Sequence, residues 1–310
     1  YTEVLLLNSE LSSIIEHEFA DIGVTARDVA DVYDDPSRIG PVGVLLQDIV
    51  AGELDADRMD YLARDSVYAG VSYGHYDLER LLDTVTAVED KDGILHLAVQ
   101  DGGLYALEEF LLARYYMFLQ VYLNERRRFY DRALMNVVRA VFADRGGNYP
   151  PPSEWKDFLT MDDVWLGSQL PGMIADGDIW AASLHDRRHW KSLSTLDVAD
   201  SSSDAVRWAR TETIVRDKFG PHVVISDDAR AKTFQRTDPG PYITSSPEQD
   251  ERPKILVVAR DGKSSDLVER RSSMVEQLGA RRIRVMRVFA SPERFDEVLS
   301  EWQTEFAKNG

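Results

Sequence analysis

Asp57, Arg58, Tyr61 and Asp65 fall within one short stretch of the chain. Wound as a helix, Asp57, Tyr61 and Asp65 stand at i, i+4 and i+8, in a row down a single face. Arg58 and Arg64 flank the row, while Met59, Leu62 and Ala63 lie round the other side. The face then carries a carboxylate, a cation, an aromatic hydroxyl and a second carboxylate within about three turns. That set suits a phosphorylated, ring-bearing ligand, with a metal as an option at the Asp57 end. A solvated face is the other reading, because charged residues three and four apart pair readily on helix surfaces.

A second constellation lies further on. Arg114 is a lone cation inside the apolar stretch LLARYYMFLQVYL, and Tyr122 follows eight residues later. A buried guanidinium must meet a carboxylate or a ligand anion, or else reach solvent. An arginine fork for phosphate and a ring for stacking would hold the two ends of a nucleotide. The alternative is an ion pair from Arg114 to Asp60 or another acid, with Tyr122 in the core. His185, Asp186 and His189 have a spacing that can chelate on one helix face. They lie in the polar, arginine-rich run LHDRRHWK, which reads as an exposed helix. The clusters Arg126-Arg127-Arg128 and Arg281-Arg282, Arg284 and Arg287 read first as solvated faces pairing with acids. An effector nucleotide or a subunit contact is their other use.

The elements that must position these residues are mainly helical. Apolar spacing predicts a helix from Tyr1 to about His17, broken near Asn8-Ser9. A short helix follows from a capping box at Thr25 to about Tyr33. Loop signals at Asp34-Asp-Pro36 and Gly40-Pro41 precede an amphipathic segment over Val44 to Ala51. After the Asp57 helix, Gly70 to Gly74 breaks the pattern and Asp77 to Asp83 resumes it. Thr86 to Gln100 reads as a β-hairpin turning at Asp92-Gly93. A long helix is expected from about Leu104 to Asp144, stopped by Gly146-Gly147. A stiff linker at Tyr149 to Pro152 leads to an outer helical region from Trp155 to about Phe219, interrupted at Pro171-Gly172 and Ser201 to Ser203. Strands are expected at Val223 to Ser226, Ile255 to Val258 and Ile283 to Val288. Helices are expected from Asp266 to Leu278 and from Pro292 to Phe306, giving a small α/β tail. The expected division is 1–148 for the core, 149–222 for the outer helices and 223–310 for the C-terminal lobe.

The stretch ELDADRMDYLARDS, followed by YAGVSYGHYDLERLL, resembles the signature of the HD-domain phosphohydrolases, in particular the dGTPase-like deoxynucleoside triphosphate triphosphohydrolases. The resemblance implies a mainly α fold: a helical HD-domain-type core with a small hairpin and a C-terminal α/β lobe. It implies that Asp57 is the last metal ligand of an H…HD…D set, holding a divalent ion (Mg, Mn, Fe, Ni or Zn). It places Arg58 on phosphate, Tyr61 by the sugar and Asp65 on the sugar 3′-hydroxyl, with Arg114 facing the triphosphate and Tyr122 the base. The implied reaction releases a deoxynucleoside and inorganic triphosphate, with Asp57 and Arg58 catalytic, in a homo-oligomer. The chain departs from the family at Asn124-Glu125, where histidine-lysine is common. The family's His and His-Asp, which precede Asp57, are absent. A longer protein carrying them is therefore expected, with this fragment alone inactive. A catalytically degenerate nucleotide sensor, or a hydrolase for another nucleotide, is the alternative.

Bulk properties narrow the classes. The net charge of −18 argues against broad, nonspecific nucleic-acid binding, which needs many phosphate-neutralising cations. An anion site must then be a local basic pocket inside an acidic shell. No cysteine is present, so thiolate metal sites and disulfides are excluded and a cytoplasmic location is expected. No run approaches the ~18 apolar residues of a membrane span, so no membrane partner is expected.

Overall fold

A computed structural model of the chain describes residues 1–197, 202–232, 255–267 and 282–308. The fold is mainly α, with two small sheets. It forms two compact units: Tyr1–Met117 with Lys232–Arg281, and Phe118–Ala231 with Arg282–Gly310.

The first unit begins with α1 (Thr2–Asn8), α2 (Glu10–Glu18) and α3 (Ala26–Asp34). Ser9 caps α2 at the expected break, and Thr25 with Asp28 makes the full capping box of α3. Next come α4 (Gly43–Ala51), α5 (Ala56–Ala69) and α6 (Leu78–Thr84). The hairpin β1 (Val85–Glu89) and β2 (Leu95–Gln100) pairs Val85 with Val99 and Glu89 with Leu95. At its turn Gly93 takes φ +80°, which a side chain rarely tolerates. The helix α7 (Leu104–Met117) buries residues on all sides, among them Leu107, Phe110, Leu111 and Arg114, so it is a core helix. The expected strand at 255–258 forms as β5 (Leu256–Val258), parallel to β2, and β6 (Ser264–Asp266) follows it antiparallel. Asp266 thus ends a strand; residues 268–278 of the helix expected over 266–278 lie outside the described residues.

The second unit starts with a single π turn, Phe118–Tyr122, and continues with α8 (Glu125–Val141). The expected helix from Leu104 to Asp144 is therefore two helices. Asn124 takes an extended ψ of 139° and its side chain accepts the Arg126 N–H, so it caps a new helix instead of continuing the old one. Then come α9 (Trp155–Leu159), α10 (Asp163–Ala175) and α11 (Ile179–His185). The expected interruption at Pro171 does not occur: α10 runs through it.

The strand β3 (Lys191–Asp197) stands where helix was expected. It pairs with β7 (Arg282–Ala290), which lies between β3 and β4 (Val224–Lys232). A bulge between Ser192 and Ser194 puts Leu193 and Leu196 against the same core, a three-residue spacing that imitates a helix in sequence. Alternation along β7 serves two cores. Val288 and Ala290 pack with Trp208 and Val215 of α12 (Ser202–Phe219) and with Val298 and Trp302 of α13 (Phe295–Lys308). Phe289 packs with Phe129 and Ala133 of α8 and with Trp190.

Candidate functional site

The site is built around the start of α5. Asp55 caps the helix, its carboxylate accepting the Arg58 N–H at 2.7 Å, and Gly70 closes it in the left-handed conformation. Met59, Leu62 and Ser66 are its buried stripe. Asp57 is exposed on the first turn, and Tyr61 and Asp65 are half-buried. Asp60 and Arg64, a turn apart, form an exposed ion pair of the ordinary surface kind.

Arg58 and Arg114 meet at one carboxylate. Glu53 Oε2 accepts from Arg114 Nη1 at 2.7 Å and lies 3.2 Å from Arg58 Nη1. Arg58 also donates to the Gly52 carbonyl at 2.6 Å, and its Nε lies 3.6 Å from Asp55. Arg114 therefore has a carboxylate partner, but it is Glu53, not Asp60. Burial raises the Asp55 carboxyl above its ordinary value, against the pull of the Arg58 N–H and charge. Burial likewise raises the Tyr61 phenol, and the charges of Arg114 and then Arg58 work the other way. Arg58, Tyr61 and Arg114 thus share one electrostatic neighbourhood in the first unit, with Asp57 at its exposed rim.

Sequence reasoning gave Glu53 no role, although it opens the same stretch. Behind it lies a small recess lined by Asp48, Glu53, Leu54, His96, Leu97, Ile255 and Leu256. His96 Nε2 lies 3.1 Å from Asp90, and the Leu97 N–H donates to Asp48 at 3.2 Å, tying the hairpin to α4.

Tyr122 belongs to the second unit, where its ring packs edge-on to Phe118 at 5.2 Å and under the Arg127 guanidinium at 5.1 Å. In the arginine clusters Arg127, Arg128 and Arg284 pair with acids. Arg128 is buried and donates twice to Asp227, and Arg284 pairs in the same way with Asp228. His185 ends α11 and contacts Asp186, and Arg187 takes φ +53°. The stretch after His185 is therefore a turn, and His189 does not share a helix face with it.

Among the described residues no group of three or more histidine, aspartate or glutamate side chains could hold a metal ion. Asp57 alone does not fit a divalent cation, which needs several ligands. No helix of the described residues is long and apolar enough to cross a membrane.

No family model matches the chain. Over 90 residues it is 38% identical to the uncharacterized protein YwfO of Bacillus subtilis, covering 29% of this chain and 20% of that one. Over 122 residues it is 35% identical to the uncharacterized protein MJ1154 of Methanocaldococcus jannaschii, covering 39% and 26%. The chain thus spans about a fifth to a quarter of the length of the curated relatives it matches. A hypothetical protein from Aquifex aeolicus matches in structure with a TM-score of 0.70 at 22% identity, over 97% of this chain and 74% of that one. A second match is to a phosphohydrolase from Bacteroides thetaiotaomicron, with a TM-score of 0.59 at 19% identity over 90% and 70%. The fold is similar to that of a phosphohydrolase.

Proposed function

We propose that this chain is the nucleotide-holding part of an HD-type phosphohydrolase acting on deoxynucleoside triphosphates. The longer protein would release a deoxynucleoside and inorganic triphosphate. The observation that carries the reading is the meeting of Arg58 and Arg114, from two helices, in one electrostatic neighbourhood with Tyr61 and the exposed Asp57. Two guanidiniums held together suit a polyphosphate, whose negative charge they offset in the ground state and in the transition state. Asp65, one turn beyond Tyr61 on the same row, would accept the sugar 3′-hydroxyl, and Tyr61 would wall the sugar. The fold shared with a phosphohydrolase supports the reaction class. The divalent metal implied by the resemblance would need ligands besides Asp57.

A melting series with deoxynucleoside triphosphates, ribonucleoside triphosphates and inorganic triphosphate tests the reading, because a ligand that binds the folded state raises its melting temperature. Deoxynucleoside triphosphates are expected to stabilise the chain most. If none of the three shifts the transition at millimolar concentration, the nucleotide assignment is wrong. Binding without hydrolysis in the longer protein would instead leave a nucleotide sensor.

A further inference from the structure

We propose that Glu53 is a positioning residue, which holds Arg58 and Arg114 as one pre-set phosphate clamp. The inference rests on the nucleotide reading above and adds the residue that organises its cations. The Glu53 side chain is 10% exposed and that of Arg114 4%. One oxygen of Glu53 meets a nitrogen of each arginine, so the loop before α5 and the core helix α7 are joined through a single carboxylate. Two guanidiniums brought this close repel each other, and each side chain has several rotatable bonds to freeze. Without the carboxylate between them they separate, and a phosphate must then order both at the moment of binding.

The other oxygen of Glu53 sharpens the point. Oε1 is buried and has no hydrogen-bond partner among the described residues, and Glu53 lines the recess shared with His96 and Asp48. A buried carboxylate with one oxygen unsatisfied is unfavourable for folding, and an apolar pair in place of both Glu53 and Arg114 would fill the space at lower cost. A role in the site accounts for its presence; core packing does not.

The sign of a substitution effect separates the two roles. By charge alone, Glu53→Gln removes a negative group beside the clamp and should tighten anion binding. If Glu53 positions the arginines, the same change should weaken it. The experiment is calorimetric titration of the 310-residue chain with inorganic triphosphate and with a deoxynucleoside triphosphate. Wild type, Glu53→Gln, Arg114→Gln and the double variant are compared, each checked for folding by circular dichroism. We expect Glu53→Gln to weaken binding by about tenfold or more. In the Arg114→Gln background we expect it to add less than about twofold, because its effect passes through that arginine. If Glu53→Gln does not fold, Glu53→Asp, which keeps the charge but withdraws the carboxylate, takes its place with the same expectation. Equal or tighter binding by the Glu53 variant overturns the positioning role and leaves the nucleotide reading intact. Full additivity with Arg114→Gln also overturns it. Failure of the wild-type chain to bind either ligand overturns the nucleotide reading, and the positioning role with it.

Discussion

Arg114 is at once a phosphate candidate and half of a buried ion pair, and the second role governs what its loss does. Removing one partner of such a pair strands the other charge away from water, at about 3–5 kcal/mol. Arg114→Met is therefore expected to lower the denaturation midpoint markedly as well as weaken nucleotide binding. Adding Glu53→Gln to Arg114→Met should recover part of the stability, since no carboxylate is then stranded; urea titration of the single and double variants checks this. A single variant as stable as wild type would mean that the pair does not hold the fold. Tyr76 offers a pH test. Burial, with the charge of Asp60 second, pushes its phenol up to about 12, and its hydroxyl donates to the Met59 carbonyl at 2.7 Å. The folded chain keeps this proton more tightly than the unfolded chain, whose tyrosines ionise near their ordinary value of about 10. The resulting stability is fully present below pH ~10 and is lost as pH rises through ~12. Tyr76→Phe should flatten that alkaline loss and remove one late-ionising phenol from an ultraviolet titration. An unchanged titration would count against the assignment.

At the scale of elements, the junction between α4 and α5 sets the clamp. Gly52 ends α4, and a Cβ added there would lie 2.3 Å from the Asp48 carbonyl oxygen, so the backbone must shift. The Gly52 carbonyl is also an acceptor for Arg58. Gly52→Ala is expected to cost about 1–3 kcal/mol and to weaken triphosphate binding through the displaced arginine. Gly167→Ala, within α10 where an added Cβ meets nothing within 4 Å, is the control. It should be neutral or stabilising by up to about 1 kcal/mol. Melting curves and triphosphate titrations of both variants decide; equal behaviour would show that the α4–α5 junction is not constrained. The elements with local signals were legible in sequence: the Thr25 capping box, the Asp92-Gly93 turn and the helix carrying Asp57, Tyr61 and Asp65. What escaped depended on distant partners or on irregular backbone. The partner of Arg114, Glu53, is 61 residues away, so the pair leaves no local pattern. The bulge in β3 disguised a strand as a helix, and Asn124 divided a long apolar period by capping a helix inside it.

For the whole molecule the question is which part of the proposed reaction this chain can support. The fold extends over 70% of the Bacteroides phosphohydrolase, whereas sequence identity reaches only about a fifth of YwfO. The described residues bring two arginines, a tyrosine and two aspartates to one part of the first unit, but no set of metal ligands. Binding and turnover should therefore separate. The 310-residue chain is expected to bind a deoxynucleoside triphosphate without releasing triphosphate. A longer protein containing it, with the His and His-Asp that the resemblance implies, is expected to turn the nucleotide over. Asp57 is the residue that tests this division. It is exposed, so Asp57→Asn should change stability by no more than about 0.5 kcal/mol. In the short chain it should leave triphosphate affinity within about twofold, because the clamp of Arg58, Arg114 and Glu53 is untouched. In the longer protein it should abolish triphosphate release and lower the bound metal measured by elemental analysis, since it removes a ligand. Release by the short chain would place the metal ligands among its own residues and remove the reason for assigning Asp57 as the last of a set. Release undiminished in the Asp57→Asn longer protein would take the metal role from Asp57 while leaving the arginine clamp to be judged by its own variants.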